Sequence, residues 1–225
     1  MELPKIARAL EGESPERILA WAAGNLASLT FATGFGAEGC AIIDMIARAG
    51  LAIDLFTLDT GVLFPETYAL WRQLEDRYGV TIRAVRADNP EPELWLRNAD
   101  ACCDQRKVKP LRAALAGFDA WITAIRRDQT PERATAQAVE RDTKFGLIKV
   151  NPLVTWTHDQ VWGHIYAHDV PYNPLHERGY PSIGCAPCTS AIVPGENLRA
   201  GRWRGAAKKE CGLHTSAPLQ AKEKA

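Results

Sequence analysis

Six cysteines, Cys40, Cys102, Cys103, Cys185, Cys188 and Cys211, carry the densest chemical information in this sequence. Four form two close pairs, the adjacent Cys102-Cys103 and the run Cys185-Ala186-Pro187-Cys188. Four thiolates brought together can hold a structural zinc ion or an iron–sulfur cluster. Zinc sites draw on Cys-x-x-Cys spacing for both pairs, because neighbouring residues seldom direct both sulfurs at one ion. Adjacent cysteines suit a cluster, where each can bind a different iron; inert buried thiols are the plain alternative. Cys211 differs in kind, lying near the C-terminus in Lys208-Lys209-Glu210-Cys211-Gly212-Leu213-His214 with no partner in sequence. A thiol of reference pKa about 8.5 becomes a better nucleophile when cations stabilise its thiolate. Lys208, Lys209 and His214 are placed to supply that field, although a cysteine in a solvated basic tail has the same spacing.

Basic residues recur where an anion would need them. Arg106-Lys107 follows the paired cysteines, Arg126-Arg127-Asp128-Gln129 follows an apolar run at 118–124, and Arg199, Arg202 and Arg204 precede Cys211. Arginine forks match phosphate or sulfate oxygens. Any one charge run is commonly a solvated face, but an opposite-charge contact at about 4 Å is worth roughly 4 kcal/mol at an effective dielectric of about 20, so several converging on one ligand would decide binding.

The elements that must position these groups alternate. Ser14-Pro15-Glu16 reads as a cap and first turn opening a helix to about residue 28. Residues 29–33 read as a strand, and the Gly34-Phe35-Gly36 turn leads to a helical stripe of Ala41, Ile42, Met45, Ile46 and Ala49. Strands are expected at 51–58, 80–85 and 118–124, and helices at 65–78, near 107–116 and, started by a Thr157 cap, within 154–169. Residues 171–183 read as irregular. This order predicts an α/β fold, a mostly parallel sheet flanked by helices. Ligands of such sheets bind beyond the carboxyl ends of the strands, where the turns at 33–38 and 59–61 fall. A Gly-x-Gly turn opening a helix offers N–H groups and a positive dipole end to an anion, and equally serves as a tight connection.

The chain has 225 residues, 27 Lys+Arg against 27 Asp+Glu, and is 46% hydrophobic, which excludes global disorder and a uniformly basic nucleic-acid coat. Asp44, Arg48 and Asp54 interrupt the best apolar run, so no membrane span is expected. The N-terminal residues show no secretory pattern, and the cytoplasm is the expected compartment. The neutrality is uneven: residues 199–225 hold seven Lys or Arg and two Glu, a charge of +5, and the first 198 residues carry −5. Two units are therefore expected, a core at 1–198 and a flexible basic segment at 199–225 suited to closing a thiol-bearing flap over an anionic nucleotide.

The runs CCDQRKVKPL, ITAIRRDQTPER, YPSIGCAPCT and KKECGLH, in that order, together resemble the assimilatory sulfonucleotide reductases of the PAPS/APS reductase family. Within it they resemble the paired-cysteine subgroup, the thioredoxin-dependent adenosine 5′-phosphosulfate (APS) reductases. The resemblance implies an adenine nucleotide α-hydrolase-like core, a modified phosphate loop at Thr33, Gly34, Phe35 and Gly36, and an LDTG motif at Leu58, Asp59, Thr60 and Gly61. It implies a 4Fe-4S cluster on Cys102, Cys103, Cys185 and Cys188 and a nucleophile at Cys211. Lys107, Arg199, Arg202 and His214 would surround the phosphosulfate, with Arg126 and Arg127 on a mobile loop over the nucleotide. The implied reaction is reduction of APS to sulfite and AMP through an S-sulfocysteine, with thioredoxin or a glutaredoxin-like protein as reductant, in sulfate assimilation. Neither nucleic acid nor membrane is an expected partner, and homo-oligomers are compatible. The chain departs from the family at Gly34, often serine, at Gly39, often aspartate, at Ala124, commonly glycine, and at Arg204, frequently aromatic. Cys40 falls at no family position and reads as a buried small hydrophobe.

Three alternatives remain in view at this stage. The enzyme could prefer 3′-phosphoadenosine 5′-phosphosulfate (PAPS). The chain could be a zinc-containing nucleotide- or RNA-binding protein using its basic tail. It could be an ATP-consuming thiolation enzyme, for which the turn at Thr33 lacks the Ser-Gly-Gly-x-Asp-Ser loop.

Overall fold

The computed structural model describes residues 2–206, 208 and 210–214. Lys209, and the tail beyond His214, lie outside the described residues.

Fifteen regular elements are used here. They are α1 (Leu3–Leu10), α2 (Pro15–Asn25), β1 (Leu29–Thr33), α3 (Ala37–Arg48), β2 (Asp54–Leu58), α4 (Pro65–Tyr78), β3 (Ile82–Val85), α5 (Leu94–Arg97), α6 (Ala99–Cys103), a π-helical turn (Asp104–Val108), α7 (Lys109–Ala114), β4 (Ala120–Ile122), β5 (Val139–Asp142), β6 (Leu147–Val150) and α8 (His158–Ala167). Local chemistry fixes several boundaries. The Ser14 hydroxyl accepts from the Arg17 N–H ahead of Pro15. Thr157 and Gln160 form a reciprocal capping box on α8, and α4 starts at Pro65 and stops at the left-handed Gly79.

The six strands order as β3-β2-β1-β4-β6-β5, parallel except for β5, which pairs antiparallel with β6 at the edge. The expected mostly parallel sheet flanked by helices is what forms. Side chains alternate across it: Phe31, Leu55 and Ile122 enter a large core with α2, α3, α4 and α8, while Phe56 and Trp121 enter a smaller one with Leu111 and Leu115. The chain winds away from β1 in both directions, so the carboxyl ends of β1 and β4 open a crevice between them. Among the described residues no helix is long and apolar enough to cross a membrane.

One contact shapes the crevice at its base. A Cβ on Gly39 would lie 2.8 Å from the Thr33 Oγ1, whereas one on Gly34 would meet nothing within 4 Å. The two departures at this turn thus differ physically: a hydroxyl-bearing side chain fits at Gly34, and any side chain at Gly39 collides with Thr33. Gly39→Ala is expected to cost about 1–3 kcal/mol, rather than gain the roughly 1 kcal/mol that alanine brings to an open helical position. Thr33→Ala in the same chain should return part of that loss. Urea unfolding of the four proteins checks this, and strict additivity would reject the collision.

Candidate active site

Two adjoining cavities fill the crevice. One, of about 270 Å³, is walled by Gly34, Gly36, Glu38, Arg126, Arg199 and Arg202 among others. The second, of about 200 Å³ and more apolar, is bounded by Thr33, Leu58, Lys107, Trp121, Arg202 and Cys211. Gly34, Arg133, Arg202 and His214 border both. A small third cavity is lined by Cys102, Cys103, Cys185 and Cys188 together with Arg106, Lys107 and Arg202. Lys107 and Arg202 therefore stand between the four clustered thiols and the cavity that holds the fifth.

Local structure explains this convergence. Cys102 and Cys103 end α6, and the π-helical turn that follows carries Arg106 and Lys107, each four residues beyond one of the cysteines. π-Turns of this kind are frequent at functional sites. The Cys185–Cys188 loop is stitched to the β2 exit: the Ala186 N–H donates to the Val62 carbonyl (2.8 Å), and the Thr60 hydroxyl lies 3.3 Å from the Cys185 sulfur. The Arg202 guanidinium lies against Gly184, where a Cβ would displace it. Residues 199–206, where the expected second unit begins, are tied to the same loop, with the Trp203 N–H donating to the Cys188 carbonyl and the Ser190 N–H to that of Gly201.

Electrostatics distinguish the thiols. All six cysteines are free. Burial pushes Cys103 up to about 11 and raises Cys102 and Cys188. Cys185 is buried too, yet Lys107, the Thr60 hydroxyl and Arg202 outweigh that burial and lower it. Burial alone would depress Lys107, but the Cys185, Cys211 and Cys103 sulfurs hold its pKa above the ordinary lysine value. Among the described residues Lys107 forms no salt bridge with a carboxylate. The groups beside this ammonium are sulfurs, and the four that line one small cavity are a donor set of the kind that holds a metal group as thiolates. Among the described residues no three His, Cys, Asp or Glu side chains are already drawn together closely enough to hold a metal ion.

The expected residues divide by role. Thr33, Gly34, Gly36, Leu58, Lys107, Arg126, Arg199, Arg202, Cys211 and His214 all reach the two crevice cavities. Phe35 does not: its left-handed backbone (φ 56°) turns the ring into the core, stacked on Trp71 at 5.5 Å. Asp59 is an internal brace, accepting from the Tyr68 hydroxyl (2.7 Å), the Gly61 N–H (3.0 Å) and Arg86 (2.8 Å). Thr60 faces Cys185 instead of the crevice. Arg126, its side chain 4% exposed, sits between Glu38 and Asp128. Arg127 lines neither cavity; it forks onto the Glu11 carboxylate at 2.6 and 2.9 Å and donates to the Ala136 carbonyl.

Of the neighbours expected to supply the field around Cys211, Lys209 lies outside the described residues, and the other two are engaged elsewhere. Lys208 pairs with Asp100 and lies over the Trp203 ring. His214 is stacked on Trp121 at 5.7 Å, and burial plus Arg133, Lys149, Arg199 and Lys144 hold its pKa well below the free-imidazole value, so it is neutral. Cys211 instead faces Lys107, Lys144 and Arg199. Lys144, which also bonds the Gly212 carbonyl, and the buried Arg133 and Glu210 are site residues that sequence reasoning missed. Only the distance between Arg133 and Glu210 in the chain hid them; both lie inside the quoted runs.

The sequence profile described as the phosphoadenosine phosphosulfate reductase domain matches residues 28–191, which hold the six strands and all four clustered thiols. The chain belongs to this family. It is 43% identical over 216 residues to an adenosine 5′-phosphosulfate reductase of Salinibacter ruber, covering 92% of this chain and 86% of that protein. It is 44% identical over 224 residues to a phosphoadenosine 5′-phosphosulfate reductase of Gloeobacter violaceus, covering 94% and 93%. Its fold is similar to the crystal structure of the phosphoadenylyl-sulfate reductase of Candida auris in a phosphate complex, with a TM-score of 0.76, 31% identity, and coverage of 84% of this chain and 96% of that one. As a sulfonucleotide reductase family member, the chain has the nucleotide α-hydrolase-like architecture and oxidoreductase character expected of it.

The neutral His214 gives a pH signature. A histidine whose pKa is depressed by docking contributes stability that is present above its unfolded value of about 6.5 and is lost as pH falls. NMR titration of the imidazole should find its midpoint below that value, and packing of residues 210–214 should loosen on acidification. A midpoint at or above the free value would contradict the stacked, cation-surrounded placement.

Proposed function

We propose that this protein reduces adenosine 5′-phosphosulfate to sulfite and AMP, with Cys211 as nucleophile and a dithiol protein of the thioredoxin or glutaredoxin type as reductant. The observation that carries this reading is the shared position of Lys107, flanked by Cys211 on the crevice side and by the four clustered thiols on the other. The name of the Salinibacter relative supports the choice of nucleotide.

The nucleotide enters the crevice with its anionic end toward Lys107, Arg199 and Arg202, and its base toward the apolar wall of Leu58 and Trp121. Gly34 and Gly36, at the uncapped start of α3, supply N–H groups and a positive dipole end to the phosphate. Cationic side chains hold the sulfonate against a thiolate that would otherwise repel it. The Cys211 sulfur attacks the sulfonate sulfur, a S–S bond forms, the S–O bond to AMP breaks, and AMP leaves with the electron pair. A thiolate of the reductant then attacks the Cys211 sulfur and displaces sulfite. Its second thiol resolves the mixed disulfide, so the dithiol supplies two electrons and Cys211 returns as a thiol.

Cys102, Cys103, Cys185 and Cys188 would hold a 4Fe-4S cluster. When bound, that cluster supplies fixed negative charge and a structural tie, with no electron transfer required of it. Lys107 then serves both anions. The segment at 199–225 is the part of the chain that brings the thiol, with Arg199, Arg202 and His214, to a crevice whose other walls come from 1–198, in the cytoplasm.

Cys211→Ser should abolish sulfite formation from APS and reduced thioredoxin while nucleotide binding and iron content persist. Near wild-type turnover would remove the nucleophile assignment. Anaerobically purified protein should carry about four irons per chain and absorb broadly in the visible, whereas a colourless zinc protein would point to the binding-protein reading. The Gloeobacter relative, named for PAPS, keeps that nucleotide as the competing substrate. The kcat/KM ratio for the two nucleotides decides between them, and APS is expected to lead.

A further inference from the structure

Glu210 precedes the nucleophile and is buried, 9% exposed. One of its carboxylate oxygens accepts from Arg133 at 2.9 Å, and the other pairs with Arg199 at 3.3 Å. Both arginines line the crevice cavity that contains the Gly34–Glu38 turn, and Arg133 lines the adjoining cavity that contains Cys211. Arg133 is itself buried and also bonds Gln129. Two guanidinium groups aimed at an anion site thus converge on one carboxylate of the protein's own chain. A carboxylate and a phosphate or sulfonate engage guanidinium forks in the same way.

We infer that Glu210 is a positioning residue that occupies the anion-binding arginines until the sulfonucleotide takes them: the negative groups of the nucleotide and the Glu210 carboxylate compete for Arg133 and Arg199. The inference rests on the proposed nucleotide site and assigns it a built-in competitor. The chemistry recognised is a nucleoside 5′-diphosphate-like anion. Docking of the thiol segment and occupancy of the crevice are then coupled through one exchange. Without nucleotide, Glu210 neutralises the buried arginines and anchors the backbone beside Cys211. With nucleotide, those donors turn to the substrate, and residues 210–213 lose their anchor while Cys211 meets the bound sulfonate. The competition necessarily weakens binding of substrate and product alike, and so favours release of AMP.

The test compares the full chain, purified anaerobically, with Glu210→Gln, which keeps the shape and removes the charge. ADP serves as an unreactive diphosphate analogue of APS, and adenosine as the control without an anion. Calorimetry should show Glu210→Gln binding ADP about tenfold more tightly than the wild type, with adenosine affinity unchanged. Equal ADP affinities, or weaker binding by the variant, would overturn the exchange. A matching gain for adenosine would reveal simple steric obstruction and would overturn it too. Should the variant not fold, hydrogen exchange of the wild type reads the same coupling. Amides at 210–213 should exchange faster with ADP than with adenosine, and slower or equal exchange would reject the proposal. If neither protein binds ADP, the nucleotide reading itself falls; ADP binding without the tenfold difference leaves that reading standing and removes only the exchange.

Discussion

A single ammonium group set among sulfur atoms is the constraint on which the site turns. Withdrawing a charge from water without an opposite one is costly, so Lys107 calls for negative charge nearby. Its sulfur neighbours are Cys185 and Cys103 on one side and Cys211 on the other, and Cys185 is the one whose thiolate is favoured. The two groups of cysteines, separate in sequence and in chemistry, therefore share one counter-ion. Whatever raises or lowers negative charge on the four clustered thiols alters the field that reaches Cys211 through Lys107, with Arg202 opposing it from the same space. The parallel sheet makes this sharing possible, because β2 delivers Thr60 to Cys185 while the same crevice receives Cys211.

Among the described residues, not every cation of the terminal segment is directed at the crevice. Arg204 is paired with Glu196, and Lys208 with Asp100, so two of the terminal cations serve to fasten the chain. Lys107, Lys144 and Arg133 belong to the body of the protein and face the thiol segment. The terminal segment contributes Arg199 and Arg202, but it also brings the carboxylate of Glu210 and a neutral imidazole. Formal charge counted along the chain does not reveal which cations remain directed at the crevice.

Features governed by neighbours in sequence were legible. The Ser14 and Thr157 caps, Pro65 and Gly79 around α4, and the Gly34–Gly36 turn all follow from local backbone chemistry. The expected strands at 51–58, 80–85 and 118–124 form as shorter pieces, since only the residues that pair in the ladder count as strand. The expected helix near 107–116 begins instead as a π-turn and continues only from Lys109 to Ala114. Helix α1 was overlooked because its charges mask a narrow buried stripe of Ala7 and Leu10. The β5–β6 pair was overlooked because β5 buries little beyond Val139. The crevice residues carried in recognisable motifs were found, whereas Arg133–Glu210 and Lys144–Gly212 were not, because each joins positions far apart in the chain. The phosphate loop illustrates the middle case: its position was plain, but the inward role of Phe35 and the Thr33–Gly39 collision depend on tertiary packing.

The π-turn between Cys103 and Lys109 has a consequence for how this segment tolerates insertions and deletions. A π-turn is an α-helix carrying one additional residue, so removing any single residue from 104–108 would let the helix close into regular form. The shortened helix would gain ordinary hydrogen bonding with its two flanks still nearly in phase, because a turn closed at i+5 and one closed at i+4 each bring the chain about once round the axis. Leu111 would keep its place in the core with Trp121. What would go is the widened turn itself, which carries Arg106 and Lys107 beyond the paired cysteines, so a loss of one residue here would be felt at the sulfurs and not in the core.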